Sequence, residues 1–400
     1  MCIHSILTNL FEQNKFKIHK AHTNFLTVAI DAVLKGAGLT SAQLGRGLET
    51  NTTTKHNIKR VDNMLGNENL HGNRECISEC LVHSLIANRK KPLIAVDWSS
   101  TSPGQKFYIL RATLIIRKKG RGITIYDEVH PVKKLSNAKV EAKFLQKLKN
   151  ILPKDCAPII ITDAGYRIAW FKEVRKLGWD YLGRARGTVQ YKLWKKKNWS
   201  SISGLFKNAP TKAKFIDNFL LSKIAEMRCT AVLVKKRLKR TKKKTPTGRN
   251  DISSASRKNA DRAREPWLLV SSLEKENYSA HQIANFYERR MQIEENFRDT
   301  KSPVYGMGLK KHRSRTTKRI EILLLIGMLA HFISYILGIS ATAAGLEKQF
   351  QANTEKKSRV LSFVFLGRQI YRKPHFKKVW LSLNISEALA QMAQPLELAP

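Results

Sequence analysis

Two short stretches of this chain are apolar at every position, and each runs into an aspartate. They are Leu93–Val96 before Asp97 and Pro158–Thr162 (PIIIT) before Asp163. A strand with one wet face alternates apolar and polar residues, so an unbroken apolar run predicts a strand covered on both faces. Between and after them, Phe107–Ile116 and Gly122–Val129 are β-rich and joined by Lys118–Arg121 (KKGR), a hairpin signal. Ala138–Ile151 carries Val140, Phe144, Leu145 and Leu148 at helical spacing and stops before Pro153. Trp170–Leu177 predicts a helix and Trp179–Arg186 another strand. Three strands, a helix, a strand, a helix and a strand make a mixed α/β sheet. Adjacency and crossover handedness put the strand before Asp163 parallel to and beside the strand before Asp97. Both carboxylates then leave the same sheet edge, where open α/β sheets bind ligands. Taken singly, Asp97 reads equally well as a helix cap and Asp163 as a turn residue.

A third carboxylate lies in Tyr287–Lys301, YERRMQIEENFRDTK. On one continuous helix, at about 100° per residue, Tyr287, Arg290, Glu294 and Lys301 fall within about 60° of one another. Phe286, Ile293 and Phe297 make an apolar stripe along the neighbouring edge, and Pro303 ends the helix. On this geometry Glu294 sits at the buried edge and Glu295 points away. Taken alone, the helix also reads as a surface helix with ordinary ion pairs.

The net charge of +42 makes a compact fold repel itself unless a polyanion is bound, and nucleic acid is the usual one. A ribosome-associated or membrane-surface role is the alternative. Lys235–Lys244 (KKRLKRTKKK) has eight basic residues in ten and precedes a Ser/Asn/Arg-rich tract to about Arg264. It predicts contact with a DNA backbone, with a solvated face or a nuclear-targeting signal as the other readings. Five scattered cysteines fit reduced thiols. Cys76 and Cys80, near His71 and His83, invite a zinc reading that no second ligand pair supports. Ile322–Leu337 is short for a bilayer and interrupted by His331, so a buried core helix is expected, with no membrane partner.

Residues 1–90 read as helical. Thr40–Leu48 predicts a short helix capped by Thr40 or Ser41, and Thr54–Leu65 (TKHNIKRVDNML) a second one closed by Gly66. The second carries Lys55, His56, Lys59 and Arg60 opposite Ile58, Val61, Met64 and Leu65. The pair fits a helix-turn-helix reader and, equally, a basic bundle that touches only phosphates.

Oxygen ligands from Asp97, Asp163 and Glu294 suit Mg²⁺ or Mn²⁺, and two such ions can clamp the attacking and leaving oxygens of phosphoryl transfer. No Ser/His/Asp nucleophile set, P-loop or dinucleotide fingerprint is present, so water or a DNA 3′-hydroxyl would be the nucleophile. Lys301 and Arg290 would hold the phosphate and Tyr287 orient it.

The spacing Tyr, two residues, Arg, three residues, Glu, six residues, Lys is met at Tyr287, Arg290, Glu294 and Lys301. With it, this sequence resembles the DDE transposases of bacterial insertion sequences, in the family named after insertion sequence four. TKHNIKR (Thr54–Arg60), VDWS (Val96–Ser99), Asp163-Ala164-Gly165, EPW (Glu265–Trp267), RMQIEE (Arg290–Glu295) and FQANT (Phe350–Thr354) extend the likeness over most of the chain. The resemblance implies a ribonuclease H-like α/β catalytic core (residues 91–186 and 276–330) with Asp97, Asp163 and Glu294 as metal ligands. It also implies a β-rich insertion domain (187–275), a helical N-terminal DNA-binding domain (1–90) and a helical C-terminal region (331–400). It further implies a Mg²⁺-dependent enzyme, Mn²⁺ substituting, that acts in the bacterial cytoplasm at the nucleoid. Its partner would be double-stranded DNA, both terminal inverted repeats and target, bound by a dimer. Hairpin chemistry needs a base out of the stack, for which Trp267 and Trp98 are the stacking candidates; ordinary core packing is the alternative for each. A metal nuclease without strand transfer and a basic DNA-binding protein remain the rival functions.

Overall fold

The computed structural model describes residues 3–86, 89–102, 104, 106–116, 120–194, 196–236, 253–254, 265–352, 354 and 360–376. The chain forms two compact units, one of residues 1–158 with 291–400 and the other of residues 159–290.

The first unit begins with six helices: α1 (Ile3–Gln13), α2 (Lys20–Lys35), α3 (Ser41–Gly47), α4 (Thr54–Leu65), α5 (Glu68–Gly72) and α6 (Arg74–Ile86). They lead into β1 (Leu93–Ser100), β2 (Phe107–Leu114), β3 (Ile123–Pro131) and helix α7 (Ala138–Ile151). Strand β2 pairs antiparallel with β1 and with β3, the second pairing being the one the hairpin signal predicts; Lys118 and Lys119 of that signal lie outside the described residues. Strand β1 continues through Asp97 to Ser100, so Asp97 lies within a strand and caps no helix. The chain returns to this unit with α11 (Met291–Lys301), α12 (Thr317–Ala343) and α13 (Phe363–Arg372).

Register sets one polar row across the sheet: Asp97 faces Arg111, and Arg111 faces Asp127. Arg111, 1% exposed, donates from Nε and Nη2 to the two Asp127 oxygens at 2.7 and 2.8 Å. Its Nη1 donates to Thr300 Oγ1 at 2.9 Å and to Asn296 Oδ1, both on α11. Helix α11 completes the docking with amides. Gln292 exchanges two 3.0 Å bonds with the backbone of Ile116, and Asn296 Nδ2 donates to the Gly122 carbonyl at 3.1 Å. Ile293 and Phe297 fill the apolar part of that contact.

Helix α12 is long and apolar enough to cross a membrane, yet its most apolar window is wholly buried; it is the core helix expected from the sequence. It runs without a break through residue 330. Glu321 ties it to its surroundings, accepting from Val129 N on β3 at 2.8 Å and from Arg74 Nη1 at 2.9 Å. Glycines let α13 cross it closely: a Cβ on Gly367 would stand 2.0 Å from the Ser334 carbonyl oxygen.

The second unit holds β4 (Ile159–Ile161), α8 (Ile168–Lys176), β5 (Asp180–Ala185), β6 (Gln190–Leu193), β7 (Ser200–Ser201) and α9 (Ser203–Phe206). It continues with β8 (Lys214–Leu221), β9 (Met227–Val234), β10 (Trp267–Ser271) and α10 (Ala280–Glu288). Strands β4 and β5 are parallel, and β10, β9, β8, β6 and β7 follow antiparallel in that spatial order. Trp170, Phe171 and Val174 of α8 are buried, with Phe171 stacked on Tyr181 of β5 at 4.6 Å. The architecture is mixed α/β.

One buried pair dominates the docking of α11, which gives a stability test. Asp127→Ala leaves the Arg111 charge unpaired and should cost about 3–5 kcal/mol in chemical denaturation, whereas Arg111→Met with Asp127→Leu should cost much less. Equal losses from the two variants would refute the assignment.

Candidate active site

In the first unit, β1 presents Asp97 and α11 presents Glu294 and Lys301. Asp97 is half-buried, and its Oδ1 accepts from Trp98 N at 2.8 Å. Lys301 Nζ donates to Ser99 Oγ at 2.6 Å and to the Ser100 carbonyl at 3.3 Å, and it lies 5.3 Å from the Phe297 ring centre. Burial, then the nearby charges of Arg111 and Lys310, bring its ammonium down to about 8, and the Asp97 carboxylate only partly offsets them. Lys301 makes no ion pair with any described residue.

The glutamates differ from the sequence expectation. Glu294 is exposed, and Glu295 is the half-buried one, held by Arg121 at 3.5 Å and by Arg298. The cause is polar: α11 buries Gln292, Asn296, Asp299 and Thr300 together with Ile293 and Phe297, so its inner face is wider than the apolar stripe.

The single helix expected over Tyr287–Lys301 is two helices. Helix α10 ends at Glu288, Arg290 N bonds back three residues to the Tyr287 carbonyl at 3.0 Å, and α11 starts at Met291. No glycine or proline marks the break, so the sequence carries no local signal for it. Tyr287 and Arg290 therefore belong to the second unit, while Glu294 and Lys301 belong to the first.

In the second unit, Asp163 follows β4, and its Oδ1 accepts from Gly165 N at 2.8 Å, which closes a tight turn. Tyr287 is 5% exposed and meets Trp267 edge-on at 5.1 Å. Burial pushes its phenol up and Asp163 adds to this, against the opposing charges of Arg290 and Arg184. The Arg290 guanidinium sits 5.9 Å from the Tyr287 ring centre, and Lys236 Nζ 5.5 Å from that of Trp267. The EPW segment has a definite job here: Glu265 accepts from Arg184 at 3.0 Å and pairs with Arg186 at 2.5 Å. Sequence reasoning did not single out Arg184 or Arg186; two arginines flanking an alanine at the end of an apolar strand were the available signal.

Trp98 is engaged inside the first unit. Its Nε1 donates to Glu141 Oε1 at 3.0 Å, and its ring meets His130 at 5.6 Å.

Among the N-terminal helices, Thr40 caps α3 by accepting from Gln43 N, and α3 meets α4 where a Cβ on Gly45 would lie 2.5 Å from Ile58 Cα. Lys55, Lys59 and Arg60 are all exposed on α4, and Asp62, the helix's acid, is bound by Arg319. Ile58 and Met64 are only half-buried, and Asn57 is buried instead, accepting from Thr50 and Thr52 at 2.8 and 2.9 Å. The zinc reading at Cys76 and Cys80 has no support: His71 is paired with Glu321 at 2.6 Å, and burial pushes the Cys80 thiol up to about 12. Within either unit, no three His, Cys, Asp or Glu side chains among the described residues gather to hold a metal. Of the basic run 235–244, only Lys235 and Lys236 are among the described residues.

A lysine held near pH 8 binds fewer protons when folded than when unfolded between that pH and its ordinary value. Its burial therefore costs stability below pH 8, and this cost fades as the pH rises above 8. The melting temperature of the parent minus that of Lys301→Met should rise between about pH 8 and pH 10; a pH-independent difference would contradict the assignment.

The family model described as "Transposase DDE domain" matches residues 88–333, more than half of the chain. That span contains Asp97, Asp163, Trp267, Tyr287, Arg290, Glu294 and Lys301. No curated protein matches the sequence. The chain belongs to the transposase DDE domain family.

Proposed function

We propose that this transposase is a cut-and-paste enzyme of the insertion-sequence-four type, similar to the insertion sequence ten transposase. In this reading it binds the terminal inverted repeats of its element, cleaves the ends through a hairpin and joins the 3′-ends to target DNA. The core is read as ribonuclease H-like, with Asp97, Asp163 and Glu294 as its acids. The donor set is carboxylate oxygen alone, which fits Mg²⁺ or Mn²⁺ and not zinc. When bound, such ions supply charge stabilisation to the attacking and leaving oxygens.

The observation that carries the reading is Lys301. A half-buried ammonium beside Asp97, Arg111 and Lys310, with no ion pair to any described residue, is a place that a phosphate completes. Ser99 Oγ and the Ser100 carbonyl fix its direction, so it holds the scissile phosphate without first having to be ordered. Arg290 holds a phosphate oxygen, and Tyr287, packed between Trp267 and Arg290, orients it. Trp267 takes the base extruded during hairpin formation, a stacking contact that offsets the cost of unstacking. Lys55, Lys59 and Arg60 bind the repeat duplex, and DNA binding pairs two protomers. A net charge of +42 suits an enzyme that must hold several DNA segments together.

The test uses purified protein, Mg²⁺ and DNA carrying the element ends. Glu294→Ala should lower cleavage by about a thousandfold or more, roughly 4 kcal/mol of barrier, while Glu295→Ala keeps most of it. The reverse order would overturn the assignment. Hairpin and joined products are expected from the parent; cleavage without joining would make it a nuclease, and binding without cleavage a DNA-binding protein.

A further inference from the structure

Between Asp180 and Asp217 the chain contains no acidic residue, but it has two arginines and seven lysines. At the centre of this stretch is the sequence WKKKNW, residues 194–199, of which Trp194 follows β6 and Trp199 precedes β7. The segment has a tryptophan at each end and lysines between.

Register shows where these side chains go. Lys192 on β6 faces Leu220 on β8, and Leu220 faces Arg228 on β9, so all three share one face of the sheet. Trp194, two residues beyond Lys192, continues on that face, with its N–H donating to the Asn218 carbonyl at 2.7 Å. The opposite face is closed by Tyr191 stacked on Phe219 at 5.3 Å.

Each indole already has a cation. The Arg228 guanidinium stands 5.5 Å from the Trp194 ring centre, and Lys192 Nζ stands 5.1 Å from that of Trp199. Trp194 is nevertheless 60% exposed, among the most exposed large apolar side chains described. Lys196 and Lys197 of the segment are exposed too. The flanking acids are engaged elsewhere, Asp180 by Arg175 and Asp217 by Lys275; Glu226, in the β8–β9 turn, is exposed. A hydrated indole held beside a cation on a lysine-rich edge has the chemistry of a stacking platform for bases on a tracked phosphate backbone.

We propose that this face of the second unit is a second nucleic-acid site, separate from the acid-bearing segments, that binds a DNA strand with unpaired bases through Trp194 and Trp199. The proposal rests on the reading that the chain handles DNA strands, and it assigns to this edge the strand freed when the duplex is opened.

The experiment measures anisotropy of a labelled oligothymidylate of about 20 nucleotides, and of a duplex of the same length, with full-length protein at about 0.1 M salt. The parent should bind the single strand. Trp194→Ala with Trp199→Ala should weaken that binding by about a hundredfold and duplex binding by no more than about twofold. Trp194→Phe with Trp199→Phe, which keeps an aromatic face, should restore most of the loss, and thermal melts report whether either variant is folded. A parent that ignores the single strand would overturn the proposal. So would an alanine variant that binds like the parent, or a phenylalanine variant as weak as the alanine one. The assay needs no metal and none of the three acids, so its failure counts against this surface alone, whereas failed cleavage counts against the transposition reading.

Discussion

Arg111 is a guanidinium in the middle of a three-stranded sheet with almost no access to water, and the placement of α11 follows from what it needs. Of its five N–H donors, two go to Asp127 on the next strand and others to Asn296 and Thr300 on α11. A buried ion pair adds little net stability, because desolvation offsets the attraction, but it is intolerant of displacement. Sliding α11 by one residue would break the Arg111 bonds and the Gln292 and Asn296 bonds to the sheet backbone together. The same register sets Asp97 directly opposite Arg111 and brings Lys301 to Ser99. The network thus fixes β1 and α11, which carry Asp97, Glu294 and Lys301, relative to each other.

The signature residues divide between two compact units at Arg290. Asp97, Glu294 and Lys301 lie on the two elements that the Arg111 network joins, while Asp163, Tyr287, Arg290 and Trp267 form a separate cluster around the Tyr287 ring. In the first cluster a half-buried lysine, with no ion pair to any described residue, keeps its charge at a cost that Asp97 only partly offsets. In the second a phenol is enclosed by an indole and two guanidinium groups, one of which, Arg184, is itself tethered by Glu265.

Much of this was legible in the sequence, for identifiable reasons. Apolar runs with clear ends gave β1 and β4, helical spacing gave α7 to the residue, and TKHNIKRVDNML gave α4 between its cap and Gly66. The continuous helix over Tyr287–Lys301 was not borne out, because its break arises from one tightened turn among residues that all favour helix. Glu294 is exposed against expectation because an apolar stripe alone does not define the inner face of α11, which docks largely through Gln292, Asn296 and Thr300. Arg111 itself was visible as a lone charge inside FYILRATL, with Asp127 as the matching charge inside ITIYDEVHP. Reading the pair required the strand register, which no local pattern supplies. The fixed spacing of Tyr287, Arg290, Glu294 and Lys301 survived the error about their helix, since the spacing marks the family whether or not the backbone between them is continuous.

The central claim is that carboxylates of this chain bind the metal that supports DNA cleavage, and ligand exchange at Asp163 tests it most directly. A thiolate binds Mg²⁺ poorly and Mn²⁺ better, so Asp163→Cys should lose cleavage of element-end DNA in Mg²⁺ and regain a substantial part of it in Mn²⁺. Cleavage in Mg²⁺ equal to that of the parent would contradict the claim.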